Sequence, residues 1–185
     1  LSIWSILIEF FELHLDKIDW WWLSRCADIP VEFFEKHLDK VYWKQLSRNP
    51  NIPLEFFEKY LDKVSWEALS GNTNIPVEFF SQHLDKISWF YLSLNNSVPV
   101  EFFEKYLGKV RWKRLSGNPG IPFKFLKKHL DKVDWRSLSG NENIPVEFIS
   151  QHMDKLDWKN LSKNKNIAYD ANAPDILDKI LAEYF

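Results

Sequence analysis

Residues 66–88 read WEALSGNTNIPVEFFSQHLDKIS, and the tryptophan that follows them begins the same pattern again. Tryptophan recurs every 23 residues, and a Leu-Ser pair begins three residues after each one; these tryptophans are Trp20, Trp43, Trp66, Trp89, Trp112, Trp135 and Trp158. Repeats of about 20 to 50 residues are typical of solenoids and propellers, in which no unit buries its apolar face without neighbours. The chain is therefore predicted to be a tandem array of one short repeat.

The spacing of apolar residues within the repeat predicts helices. After Pro30, apolar side chains fall on one face of an α-helix, at Val31, Phe34, Leu38 and Val41. A proline suits the first turn of a helix because its missing N–H has no partner there. We expect this helix to end at the Asp-Lys pair near Lys40.

Each repeat tryptophan is predicted to open a second helix of about two turns. Side chains suited to N-capping often stand just before it, at Asp19, Ser65, Ser88, Asp134 and Asp157. Gly71, Gly117 and Gly140 are expected to close it in the left-handed conformation. Each tryptophan and the leucine three residues later should be buried between repeats.

These elements predict an all-α protein, an α-solenoid of tandem 23-residue helix-turn-helix repeats with a C-terminal capping helix. We assign residues 1–167 to an array of about seven repeats and residues 168–185 to the capping helix. At the other end, apolar residues cluster at Ile3, Trp4, Ile6, Leu7 and Ile8. Either further repeats precede this cluster or it meets a partner, and self-association through this end is one such contact.

Composition narrows the protein class. The 185 residues are 45% hydrophobic and 17% aromatic, which is sufficient for a continuous core. The lone Cys26 excludes an internal disulfide and favours a reducing compartment, so we expect a cytoplasmic protein, in a host cell or a virion if the chain is viral. No apolar run reaches the roughly 18 to 20 residues of a membrane span. The chain begins without Met or a secretory signal, and we expect a fragment or a processed product.

The segment Asp157-Trp158-Lys159-Asn160-Leu161-Ser162-Lys163-Asn164-Lys165-Asn166-Ile167, with Leu-Asp-Lys-Val or Leu-Asp-Lys-Ile before the tryptophan in other repeats, resembles a known family. It is similar to the short Trp/Leu-Ser/Asn repeats in proteins of giant DNA viruses and their relatives. The resemblance covers the chain from about Ile6 to Ile167. It implies a helical repeat architecture and an interaction scaffold, without naming a partner.

The recurring serine and histidine do not indicate an enzyme. A nucleophile needs one base and one stabilising pocket, whereas the serines from Ser24 to Ser162 recur at the same helix end in every repeat. We expect these hydroxyls to bond their own helix backbone. The histidine position is shared with Tyr60 and Tyr106, which indicates a half-buried ring with a polar tip. Neighbouring repeats lie too far apart for two histidines to share one zinc ion. We therefore expect no catalytic residue, cofactor or metal.

The two residues after each repeat tryptophan, termed here the first and second variable positions, are the candidate interaction sites. They include Lys44 and Gln45, so this surface should be exposed. Aromatic pairs there predict contact with a protein partner, at Trp21, Trp22, Phe90 and Tyr91. An alternative for the tryptophan pair is packing against the N-terminal apolar cluster.

Charge departs from the repeat pattern in residues 105–132. This segment holds nine basic residues and one acidic residue, a net charge of +8 in a chain of net charge −2. It predicts an anion site for an acidic or nucleic-acid partner, formed by Arg111, Lys113, Arg114, Lys124, Lys127 and Lys128. The alternative is a basic face balanced by acidic neighbours.

Three functions are consistent with the sequence. A non-enzymatic scaffold for protein–protein interaction would use the aromatic exceptions. A structural component of a virion or other assembly would use the N-terminal apolar end. Binding of a polyanion or nucleic-acid backbone would use the basic segment, although a base-by-base reader would need a basic groove along the whole array.

Overall fold

The computed structural model describes the backbone of residues 3–166 and the side chains of residues 6–166. This part of the chain is all helical, with fourteen short helices and no strand, so the predicted all-α repeat solenoid is confirmed there. The predicted capping helix at residues 168–185 lies outside the described residues. The chain forms two compact units, Leu1–Leu92 and Ser93–Phe185.

Two kinds of helix alternate after α1, which spans Ile3–Glu12. The Trp helices each begin at a repeat tryptophan and are α2 (Trp20–Arg25), α4 (Trp43–Leu46), α6 (Trp66–Ser70), α8 (Trp89–Leu92), α10 (Trp112–Leu115), α12 (Trp135–Ser139) and α14 (Trp158–Leu161). The Pro helices each begin directly after a proline and are α3 (Val31–Lys36), α5 (Leu54–Lys59), α7 (Val77–Gln82), α9 (Val100–Lys105), α11 (Phe123–Lys128) and α13 (Val146–Gln151).

Both helices of the repeat are shorter than the sequence predicts. The first Pro helix ends at Lys36, and the backbone leaves the helical region at His37, where φ is −128°. The prediction that it continues to Lys40 is wrong, because residues 37–40 form turns instead. The Trp helices span only four to six residues rather than two full turns.

The predicted N-caps are largely confirmed. The Asp19 carboxylate accepts hydrogen bonds from the N–H groups of Trp21 and Trp22. Ser65, Asp134 and Asp157 each accept one from the backbone N–H three residues later. These side chains satisfy N–H groups that the first turn of a helix leaves without partners.

The predicted left-handed glycines are wrong. Gly71 and Gly140 have φ of −92° and −86°, and none of the residues from 3 to 166 has a positive φ. The chain leaves the helix through a tight turn in which Gly71 N–H donates to the Ala68 carbonyl and Asn72 N–H to the Leu69 carbonyl. Residues other than glycine can adopt this turn, and Arg48 and Leu94 stand at the same position of other repeats.

The core is formed by the leucine of each Trp helix and by paired aromatic residues of the Pro helices. Leu46, Leu69, Phe57 and Phe80 are fully buried, as predicted for the leucine column. Phe33 is also buried, although the sequence pattern placed only Phe34 of this pair on the inner face. Both rings of the pair therefore belong to the core.

The repeat tryptophans are half-buried, apart from the exposed Trp158, which corrects the prediction that they are buried. The Trp66 ring stacks on Phe79 of the same repeat, with ring centroids 5.7 Å apart and an interplanar angle of 5°. It also contacts His83 at 5.1 Å. The same stack recurs as Trp20–Phe33, Trp43–Phe56, Trp112–Phe125 and Trp135–Phe148.

A lysine lies over several of these tryptophans. The Lys86 ammonium is 5.5 Å from the Trp66 ring centroid, and Lys155 lies 5.3 Å from Trp135. An ammonium over an indole face is attracted by the negative centre of the ring. These lysines therefore help to cover the tryptophans.

The serine of each Trp helix joins two elements. Ser47 Oγ donates to the Trp43 carbonyl at 2.7 Å, which confirms the predicted bond to its own helix. It also accepts the N–H of Ser65 at 3.0 Å, 18 residues further along the chain. The hydroxyl is fully buried. It therefore fixes the start of the next Trp helix against the end of its own.

Buried asparagines join consecutive repeats. Asn118 Nδ2 donates to the backbone carbonyls of Ser93 and Asn95, at 3.0 and 3.3 Å, and its Oδ1 accepts the Gly120 N–H at 2.8 Å. The same bonds to residues 25 and 23 positions earlier recur at Asn49, Asn72, Asn141 and Asn164. We call this set the asparagine ladder.

Replacing a ladder residue should destabilise the protein strongly. Asn118→Ala leaves two buried carbonyls and one N–H without their partner, and should lower the free energy of unfolding by about 2 to 4 kcal/mol. Urea denaturation followed by circular dichroism would measure this loss.

Asn143 provides a matched control, because its Nδ2 donates to the Pro119 carbonyl from an exposed position. Asn143→Ala should cost about 1 kcal/mol or less, since water can replace the lost bond. Equal losses in the two variants would show that burial of the ladder is not what stabilises the stack.

Candidate interaction surface on the Trp helices

The two variable positions differ in exposure. The first is exposed in every repeat, from Trp21 to Lys159. The second is not, since Gln45 and Ala68 are buried and Tyr91 is half-buried. The prediction of an exposed surface therefore holds for the first variable position and is wrong for much of the second. Neighbouring Trp helices lie side by side, as α2 and α4 do, and cover the second position.

Phe90 and Tyr91 accordingly have different surroundings. Their rings meet edge to face at 5.1 Å, and 38% of Phe90 is exposed. Tyr91 lies against Gly71, where an added Cβ would be 3.8 Å from the Tyr91 Cβ, and the Arg48 guanidinium lies 6.0 Å from the Tyr91 ring centroid. Phe90 is thus the more accessible residue of the predicted pair, whereas Tyr91 packs against Gly71 and contacts the Phe90 ring.

Trp21 and Trp22 are both exposed, Trp22 by 60%. Trp22 lines a groove of about 430 Å³ together with Phe10 and Phe11 of α1. Trp22 thus adjoins Phe10 and Phe11, which follow the N-terminal apolar cluster in the sequence, and presents most of its ring to solvent.

A basic groove lies across the Trp helices of the second compact unit. It has a volume of about 290 Å³ and is lined by Lys113 and Arg114 of α10 and Arg136 of α12. Gly117, Gly140, Ser137, Asn160 and Leu94 complete its lining. Arg136 was not among the predicted anion-binding residues, because it lies outside the basic segment of the sequence.

The remaining predicted basic residues lie elsewhere. Lys124, Lys127 and Lys128 are exposed on α11, a Pro helix, and do not line the groove. Arg111 stands at the N-cap position of α10, and its backbone N–H donates to Ser93 Oγ at 3.1 Å. The structure thus brings Lys113 and Arg114 together with Arg136 and separates them from the lysines of α11.

Two carboxylates flank the groove. Asp157 Oδ2 lies 3.9 Å from Arg136 Nε. The pKa of Asp134 is held below its ordinary value of 3.8: partial burial raises it, but hydrogen bonds from Ser137 and the positive charges of Lys113 and Arg136 outweigh that effect. The cations of the groove therefore stabilise the ionised form of the cap that begins α12.

Comparison of the sequence with known proteins gives no match. No protein family model matches the chain, and neither a curated protein nor a solved structure is similar to it. Within the described residues, no helix combines the length and apolarity that crossing a bilayer requires. The same residues contain no group of three or more His, Cys, Asp or Glu side chains placed to hold a metal ion.

The Asp134 cap should stabilise the fold in a pH-dependent manner. Asp134→Ala should lower the free energy of unfolding by about 1 kcal/mol at pH 7. A carboxyl whose folded pKa is depressed stabilises above its ordinary value of 3.8, and this contribution disappears as the pH falls through the folded pKa. The difference between the variant and the wild type should therefore shrink in acid.

Ser65→Ala is the control, since Ser65 caps α6 with a hydroxyl that does not titrate. Its effect on urea denaturation should stay constant over the same pH range. A constant effect for Asp134→Ala as well would contradict a depressed pKa of Asp134 in the folded protein.

Proposed function

We propose that the protein is a non-enzymatic repeat scaffold that mediates protein–protein interaction through the exposed side of its Trp helices. One observation carries the proposal. The framework repeats the same buried bonds and ring stacks, whereas the first variable position is exposed throughout and changes its chemistry from repeat to repeat, as Trp21, Lys44, Glu67, Phe90, Lys113, Arg136 and Lys159. Repeat proteins use such surfaces to bind extended partners.

The serine hydroxyls form hydrogen bonds within the fold, and this supports the non-enzymatic part of the proposal. Ser47 and Ser139 each donate to a tryptophan carbonyl and accept a backbone N–H from the next repeat, and both are fully buried. A nucleophilic hydroxyl must reach its substrate and a base. The histidine rings contact both members of the Trp–Phe stack, as His83 contacts Trp66 and Phe79, which suits a structural role.

The viral origin and the cellular compartment of the protein follow from the sequence alone and stay predictions. The repeat resembles the short Trp/Leu-Ser/Asn repeats in proteins of giant DNA viruses and their relatives. Cys26 is a free thiol, which fits a reducing compartment such as the cytoplasm.

Phe90 provides the first test of the scaffold. The full chain would be screened against a displayed library of peptides tiled over the proteins of its source, and the selected peptides titrated against Phe90→Lys. This variant places at Phe90 the residue found at Lys44 and Lys113, so it should fold normally. Loss of an aromatic anchor should weaken binding by about 2 kcal/mol, roughly thirty-fold.

Phe90→Tyr is the matched control, because it keeps the ring and should keep most of the affinity. Melting temperatures of both variants should stay within about 1 °C of the wild type, since the position is exposed. Two results would overturn the proposal: a screen in which no peptide binds the wild type, or selected peptides whose affinity is unaffected by Phe90→Lys and by changes to the basic groove.

An assembly role is a second candidate, favoured by two exposed rings. Phe10 stands 23 residues before Phe33, which Trp20 covers, yet 55% of Phe10 is exposed. Trp158 is 56% exposed. Stacking of Trp158 of one copy on Phe10 of another would repeat the contact found within each repeat. We therefore propose a second copy of this chain as the partner, in a head-to-tail contact between these two rings.

Sedimentation velocity would test this association at about 200 µM, a concentration that detects weak contacts. Phe10→Ser and Trp158→Ala should each abolish it, while an equimolar mixture should form a dimer, because each variant retains one intact partner ring. A monomeric wild type, or a mixture that stays monomeric, would refute head-to-tail association.

A further inference from the structure

The basic groove on α10, α12 and α14 contains a pair of like charges that the framework does not require. Lys113 and Arg136 occupy the first variable position of consecutive repeats. At the same positions of the first compact unit, Lys44 Nζ lies 3.7 Å from Glu67 Oε2. The first unit thus pairs Lys44 with Glu67 at this position, whereas the second unit places three cations there, Lys113, Arg136 and Lys159. Like charges on neighbouring helices repel each other, which offsets part of the stabilisation that these cations give to Asp134 and Asp157.

The glycines of the groove are also not required by the backbone. Neither Gly117 nor Gly140 has a positive φ. A Cβ added at Gly117 would lie 3.5 Å from the Ser137 carbonyl oxygen, and one at Gly140 would lie 3.7 Å from the same atom, both ordinary contacts. The first compact unit has at this position both Gly71 and Arg48, whose guanidinium lies over Tyr91. The glycines of the second unit therefore leave space where a side chain fits.

From these observations we propose that the groove binds a short acidic segment of a partner protein, whose carboxylates are held by Lys113, Arg114 and Arg136. The inference rests on the scaffold function proposed above and names the chemistry of one of its partners. Arginine forms paired hydrogen bonds with a carboxylate, and lysine adds a compact charge.

The dimensions and surroundings of the groove favour a peptide over a nucleic acid. Its volume of about 290 Å³ is at the low end of ligand pockets, which span about 300 to 1,000 Å³. Leu94 lines the groove and is 44% exposed, so it offers an apolar contact beside the cations. Asp134 and Asp157 flank the site, so anionic groups separated by uncharged side chains fit it better than a continuous phosphate backbone does. An extended segment with alternating acidic and apolar side chains matches this arrangement.

Fluorescence anisotropy on the full chain would test the inference. The probe is a labelled peptide of sequence Glu-Leu-Glu-Glu-Leu-Glu, and a peptide with lysine in place of each glutamate controls for charge. Arg136→Glu restores the pairing of the first compact unit, and Gly117→Leu fills the groove with the residue found at Leu94. Each should weaken binding by about tenfold or more while leaving the circular dichroism spectrum unchanged.

Lys124→Glu is the matched control, since it makes the same change in net charge on α11, outside the groove, and restores the glutamate of the other Pro helices. It should weaken binding by less than about twofold, because exposed charges at a distance are screened by salt. An equal loss in Lys124→Glu and Arg136→Glu would show that only net charge matters, and would overturn the proposed site.

Two further outcomes separate this inference from the scaffold proposal. If single-stranded oligothymidylate binds more tightly than the acidic peptide and Arg136→Glu abolishes that binding, the ligand is a phosphate backbone and the peptide assignment fails. If the acidic peptide does not bind at all while library peptides still require Phe90, the groove assignment fails and the scaffold stands.

Discussion

The buried asparagine amide is the interaction on which the rest of the structure depends. Each ladder side chain donates to two carbonyls of the preceding repeat and closes its own turn, as Asn141 does with Ser116, Asn118 and Asn143. A buried amide must find partners for its donors and acceptor, and here these partners lie at fixed sequence separations. One inserted or deleted residue within a repeat would move these hydrogen-bond partners out of register with the amide. This explains why the 23-residue period holds without variation from Trp20 to Trp158.

Helices of four to six residues do not form alone, because nucleating a turn costs more than so few hydrogen bonds return. Their stability must come from contacts within and between repeats. The Trp–Phe stack supplies part of it, and its indole remains half-buried because one face meets the phenylalanine while the other meets a lysine or solvent, as at Trp66. The serine hydroxyl, bonded to two elements, then fixes where each Trp helix starts.

The period, the helical class and most caps could be predicted from sequence because they depend on local spacing. The end of the Pro helix at Lys36, the burial of Phe33 and the burial of Gln45 could not, since all three depend on how neighbouring helices pack. Arg136 could not be predicted as a groove residue for the same reason. It is an isolated arginine in a repeat of ordinary charge, and only the packing of consecutive repeats places it beside Lys113. Comparing the first variable position between consecutive repeats, instead of scanning for basic runs, would have found this pair.

A framework that satisfies its own hydrogen bonds leaves its exposed positions free to vary in charge. The first variable position shows this, because it accommodates a salt bridge at Lys44 and Glu67 and a like-charged pair at Lys113 and Arg136 on the same backbone geometry. The repulsion within the second pair is relieved in part by Asp157, which approaches Arg136, and by the ionised Asp134. An incoming carboxylate would relieve it further. In the proposed complex, selectivity for an acidic ligand arises because its charge relieves this repulsion, whereas a neutral or cationic ligand does not.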